Sequence, residues 1–179
     1  MPWLTKKDYL EIYRIAHNNA TDLLREAEIL FNKEHYQRAY FLAFTALEEI
    51  SKSQFAADVF TGLQKEEEFE KFYRDHREKI GRAVWAHLDA NSYPHNMKWV
   101  GPDIDDIEQI SSQEPYFQKR QSALYVGVDF QNQKISKPKE QISEADAKGM
   151  IHIVEVALER IWEVSEYHGE QIGTKGFMK

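Results

Sequence analysis

The chain of 179 residues contains no cysteine. That absence removes disulfides, thiolate metal sites and cysteine nucleophiles together, and a reducing compartment, the cytoplasm, is the natural setting for such a sequence. Long apolar runs are also missing: no uncharged stretch approaches the length of a bilayer crossing, so no membrane partner is expected. The opening MPWLTKKDYL is no basic leader followed by an apolar core, so no export signal is expected. Gly-rich phosphate loops, Gly-x-Ser-x-Gly elbows and Glu-x-x-His pairs are absent, which leaves no nucleotide cradle, serine hydrolase elbow or di-iron bundle signature. No cofactor and no metal are therefore expected.

Excess positive charge is lacking too. The formal charge of -7 opposes non-specific nucleic-acid binding, because neutralising phosphates with Lys and Arg dominates that affinity. Any RNA contact has to be local, and one strip qualifies: Lys71, Arg74, Arg77, Lys79 and Arg82, diluted by Asp75 and Glu78.

What is present is globular. Hydrophobic residues make up 42% and charged residues 30%, with ten Phe, nine Tyr and four Trp to build a core. A chain of this length buries about two-thirds of the surface its unfolded form exposes, which fits a single domain. No internal repeat or low-complexity block divides residues 1–179, so one core over about 5–170 is expected, with 171–179 as a loose tail.

Apolar residues recur at helical spacing from Thr5 to about Lys33, and Thr5 with Asp8 fits a capping box. A second helix is predicted over His35 to Thr61, closed by Gly62. Its segment AYFLAFTAL, Ala39 to Leu47, is apolar around nearly the whole circumference and should lie centrally. A third helix is predicted from about Lys65 to Ala90, opened by Glu66, Glu67 and Glu68 and broken by Pro94, Gly101 and Pro102. A shorter one follows from Asp105 to Ala123. Leu124 to Lys139 reads as extended, a small hairpin or ordered loop, with Pro138 excluding a continuing helix. Ser143 and Asp146 cap a last helix through about Gly169, with Met150, Val154, Ala157, Leu158, Ile161 and Val164 on its buried face. The expectation is an all-α bundle of about five helices with a short extended segment before the last.

Two polar intrusions interrupt the apolar pattern. In the second helix, Arg38, Thr45, Glu49 and Lys52 share one side with Glu48 nearby, opposite Ala43, Leu47 and Ile50. A solvated face with an i,i+4 pair of Glu48 and Lys52 would be worth only about 0.2 to 0.5 kcal/mol. Phe41 and Phe44 beside the seam argue instead for partial burial and for pairing with Lys52 or with the bases of helix three. In the third helix Phe69, Tyr73, Ile80 and Val84 define an apolar stripe, and His76 and His87 project near its centre. Two hydrogen-bonded interior histidines are the bland reading; a reactive site is the sharper one.

These segments carry a resemblance. RAYFLAFTALEEISK, followed by FYRDHREKI and later by ALYVGVDF and KPKEQISEADA, resembles the AbiV family of abortive-infection proteins, a branch of the HEPN superfamily of helical bundles, over Tyr36 to Ala157. Glu48, Glu49 and Lys52 form one block of it; His76, Arg77 and Lys79 form the other. The resemblance implies a phage-defence role, a homodimer, and a metal-independent ribonuclease of toxin type, activated on infection, in which Arg steadies a phosphate and His moves a proton. Arg82 and His87 fit the Arg-x4-6-His spacing of such enzymes literally, although on a straight helix five residues set the side chains about 140° apart. Gly81 offers a kink. His76 with Arg77 matches the AbiV-type block but not that spacing, so both pairs stand as catalytic candidates, with Glu48, Glu49, Lys52 and Lys79 supporting and Lys71 and Arg74 on RNA. The competing reading is a non-catalytic helical module that engages a phage-encoded or host protein.

Overall fold

The computed structural model describes residues 4–62, 64–74 and 114–167, apart from the side chains of 114–117 and 159–167. Helix α1, Lys6–Phe31, starts where Thr5 Oγ1 accepts from the Asp8 N–H at 3.3 Å and the Thr5 N–H donates to the Asp8 carboxylate at 2.6 Å. Both arms of the capping box are thus closed, satisfying donors a helix start leaves open. Its buried face, Tyr9, Tyr13, Ala16, Ala20, Leu24 and Ala27, advances in steps of three and four.

Residues 32–35 turn the chain back, with Glu34 at φ 61, and α2, Tyr36–Thr61, runs against α1 over most of its length. Gly62 closes α2 at φ 85, a left-handed conformation that costs glycine little, and its N–H donates to the Asp58 and Val59 carbonyls. Ala39, Ala43, Phe44, Ala46, Ile50, Ala56 and Ala57 have no exposed surface, whereas Phe41 is only partly buried. The expected central helix is α2, and its buried face extends beyond Leu47 to Val59.

Helix α3, Glu66–Arg74, departs from the expected stripe. Phe69 and Phe72 are buried, and Tyr73 is half exposed. Phe72 stacks on Phe55 with ring centres 4.3 Å apart and planes at 10°, while Tyr9 meets Phe69 edge-on at 5.2 Å. Those aromatic pairings select the face one residue away from Tyr73. The remainder of the third predicted helix, with Ile80, Val84, His76 and His87, lies outside the described residues. So does the start of the fourth.

Helix α4, Glu114–Leu124, leads into a two-stranded antiparallel sheet of β1, Gly127–Asp129, and β2, Lys134–Ser136, with Val128 opposite Ile135. The Asp129 carboxylate accepts from the Gln131 and Asn132 N–H groups at 3.0 Å each, which shapes the turn. A four-residue helix, α5, Pro138–Gln141, follows where extended chain was expected. Pro138 occupies the first turn, where its missing N–H costs nothing, so the residue that stops a preceding helix starts this one. Ser143 and Asp146 bond reciprocally at the start of α6, Glu144–Tyr167, whose Ala147, Met150, Ile151, Val154 and Ala157 pack on α2 and α1. The described residues thus form an all-α fold of six helices with one small hairpin, three of the helices long.

Candidate functional site

The seam lies on the side of α2 turned toward α3 and α4. Its neutral members satisfy themselves: the hydroxyls of Thr45, Ser51 and Ser53 donate to the carbonyls of Phe41, Leu47 and Ile50 on the preceding turn. The charged members need partners from outside their own turn or along the helix, since a buried unpaired charge is costly.

Two ion pairs provide them. Glu49 and Lys52 meet one turn apart, with side chains only 13% and 19% exposed, so the solvated-face reading of this seam does not hold. The Lys52 ammonium also sits 5.4 Å from the centre of the Tyr73 ring of α3. Glu48 is buried and turns away from Lys52 toward α4, where Arg120 Nη2 donates to it at 3.3 Å. The Arg120 guanidinium lies over the rings of Phe41 and Phe44 at 5.2 and 5.6 Å. Its Nε is buried with no hydrogen-bond acceptor. Next to it, Lys119 pairs at 2.6 Å with Asp146 of α6. Burial pushes the Asp146 carboxyl up, but hydrogen bonds from Lys119 and from the backbone and hydroxyl of Ser143 outweigh that and hold it below its ordinary value.

Adjacent residues on α4 therefore clamp two different helices. About 100° separates neighbouring side chains on a helix, so Lys119 reaches α6 while Arg120 reaches α2. Sequence reasoning missed both. The available signal was that Arg120 precedes buried Ala123 by three residues and partly buried Leu124 by four, which puts an arginine on α4's apolar face.

The structure brings together Glu49, Lys52 and, through Arg120, Glu48. Lys71 and Arg74 stand exposed on α3, and Arg74 pairs with Glu70 at 2.7 Å with both side chains largely in solvent. Arg38 is exposed at the start of α2. His76, Arg77, Lys79, Arg82 and His87 lie outside the described residues. Among the described residues no three His, Asp or Glu side chains form a group that could hold a metal ion, and no helix is long and apolar enough to cross a membrane.

Chemically, the buried part of the seam is two acids and two bases, Glu48 with Arg120 and Glu49 with Lys52, each cation engaged by an anion. It can fix how α3 and α4 sit on α2.

Comparison with known proteins agrees with this helical arrangement and extends it. No curated protein and no solved structure matches the chain. The family model for AbiV, of the HEPN group, matches residues 8–159, which takes in α1, α2, the seam and α4 through most of α6. With so much of its length matched, the chain belongs to the AbiV family, and that membership points to a role in abortive infection.

Proposed function

We propose that this chain acts as one domain in phage defence, as a metal-independent, toxin-like ribonuclease whose cutting groups lie between α3 and α4. One observation carries the reading. Segment 75–113, which holds His76, Arg77, Arg82 and His87, is entered from α3 and left through α4, and both flanks are tied to one seam of α2. Lys52 holds Tyr73 on the entering side and Glu48 holds Arg120 on the leaving side. Two anchors on one rigid helix are what a site requires if it is to place a histidine and an arginine to within a fraction of an ångström.

In this reading a histidine takes the 2′-hydroxyl proton or protonates the leaving oxygen, and a neighbouring arginine steadies the phosphate. On one straight helix His76 and His87 would stand about 16 Å apart, so they cannot serve one phosphate without a second subunit or another helix. A homodimer supplies the second subunit, and isologous pairing is the commonest closed arrangement. RNA is the substrate class, and Lys71 and Arg74 are its outer contacts. The setting is the cytoplasm, with no cofactor.

A second reading has its own support. The two buried seam cations, Lys52 and Arg120, are each engaged by an anion, and the whole chain is acidic, which suits a helical module that engages a phage-encoded or host protein without cutting anything. Digestion of total RNA by the purified protein, with and without phage lysate and with and without chelator, separates the two. Cleavage that appears with lysate and survives chelator supports the ribonuclease. Intact RNA under every condition supports the module.

A further inference from the structure

Of the three aromatic residues on α3, the core takes two. Phe69 and Phe72 are buried, whereas Tyr73 keeps half of its surface in solvent. The ring is nevertheless held. Phe69 lies 5.9 Å from it, tilted by 34°, and the Lys52 ammonium sits 5.4 Å from its centre. Lys52 is fixed in turn by Glu49, with both side chains mostly buried. A mostly buried ammonium gives up hydration that a ring and one carboxylate only partly replace, so the arrangement is a poor way to gain stability. It is a good way to fix the plane of a ring. With Lys52 behind it and Phe69 beside it, Tyr73 turns its remaining side outward.

Cations continue from the ring round the outward side of the helix. Phe69 and Phe72 mark the buried side of α3 and Tyr73 lies at its border, with Arg74 about 100° and Lys71 about 160° away in the outward direction. Both cations are exposed. Arg74 bonds Glu70 at 2.7 Å, but both side chains are largely in solvent, so the pair is weak and a phosphate can replace the carboxylate at little cost. Glu66, Glu67 and Glu68 stand about 8–10 Å back along the axis, at the helix start that favours acids.

The geometry points to Tyr73 as a base-stacking residue: an unpaired nucleobase of RNA lies flat on its outer side, with neighbouring phosphates on Arg74 and Lys71. Every base has a π face, so a fixed ring accepts it whatever its identity, and cations on one side of the ring give the backbone a track to follow. A base within a duplex is already stacked on its neighbours and does not reach the ring. Tyr73 in this role presupposes the RNA substrate proposed above and adds a contact to a base, where Lys71 and Arg74 touch phosphate alone. Tyr73 also precedes His76 by three residues, a span of at most about 11 Å, so a base held there keeps the strand near the proposed cutting groups.

Fluorescence anisotropy with a labelled single strand carrying 2′-O-methyl groups throughout tests the assignment, since such a strand has no 2′-hydroxyl proton to lose and is not consumed. It is titrated with the full chain as wild type, Tyr73→Phe and Tyr73→Leu, a duplex of the same sequence serves as second probe, and circular dichroism checks that helix content is unchanged. Wild type and Tyr73→Phe should bind the single strand alike and more tightly than the duplex. Tyr73→Leu should bind it about tenfold or more weakly, the loss of one stacked base. Leucine keeps a cover over Lys52 while removing the flat ring, so undiminished binding by Tyr73→Leu would overturn the stacking role and leave Tyr73 as a lid on the ion pair. Equal weakening of Tyr73→Phe and Tyr73→Leu would overturn it too, by assigning the contact to the hydroxyl, as would a duplex bound as tightly as the single strand. A wild type that binds no single strand overturns the stacking role, while cleavage of total RNA by the same preparation would leave the ribonuclease reading standing. Binding lost in Tyr73→Leu, with total RNA intact in the digestion above, would remove the ribonuclease reading and keep the stacking residue.

Discussion

Replacing Arg120 by Ala should destabilise the protein far more than replacing any exposed arginine. Its side chain is 15% exposed and that of its partner Glu48 is 5% exposed, so the truncation leaves a buried carboxylate without the Arg120 guanidinium and uncovers the rings of Phe41 and Phe44. Breaking a buried pair from one side costs about 3–5 kcal/mol. The 3.3 Å contact is long and the Arg120 Nε has no acceptor, which places this pair at the lower end, about 3 kcal/mol. For a chain of this length that is a fall of about 6–12 °C in Tm. Arg74, whose pairing with Glu70 is 78% and 68% exposed, supplies the internal control: Arg74→Ala should cost about 0.5 kcal/mol or less. Urea denaturation followed by circular dichroism measures both. The double variant Glu48→Leu with Arg120→Met, which removes both charges and keeps volume against the two rings, should recover most of the loss. A loss below about 1 kcal/mol for Arg120→Ala, or a coupling energy between positions 48 and 120 no larger than that between 70 and 74, would refute the buried-pair reasoning.

Acid should unfold the protein partly through Asp146. Its carboxyl is held below the ordinary 3.8, so its contribution is complete above that value and is lost as pH falls through the lower folded value. Ser143→Ala, which removes one of the donors, should flatten the acid limb of a Tm against pH curve; an unchanged limb counts against the assignment. His17 works in a higher window: burial lowers it from 6.5, with a bond to Asn18 pulling weakly the other way, so stability should fall as pH drops below 6.5 and His17→Gln should remove that slope. At Gly62, φ is 85 with open space where a Cβ would go, so Gly62→Ala should lose about 1 kcal/mol from backbone strain alone, and chemical denaturation giving no loss would contradict the left-handed cap.

The parts of the fold that could be read from sequence were those set by local chemistry. Thr5 with Asp8, Gly62, and Ser143 with Asp146 each mark a helix end through hydrogen bonds within four residues, and each lies where expected. The segment Ala39 to Leu47 of α2, apolar around nearly its whole circumference, announced its central place in the same way. Legibility ended where a choice depended on partners distant in sequence. Phe72, not Tyr73, joins the core because Phe55 stands ready to stack on it, and no spacing rule contains that fact. Arg120 is 72 residues from Glu48, so the seam's inner acid was visible while its counter-charge was not. Pro138 was read only as a terminator, although the same fixed φ opens α5.

The most direct test of the central proposal is phage yield in a sensitive host expressing the chain, scored together with RNA integrity after infection. Wild type should lower the yield of infectious phage while RNA is cut. A variant carrying both His76→Ala and His87→Ala, accumulating to the same level and keeping its helix content, should lose both effects. Undiminished protection by that double variant, with RNA intact in either case, would contradict a histidine-based ribonuclease and leave the binding module as the account of how this AbiV-family protein acts.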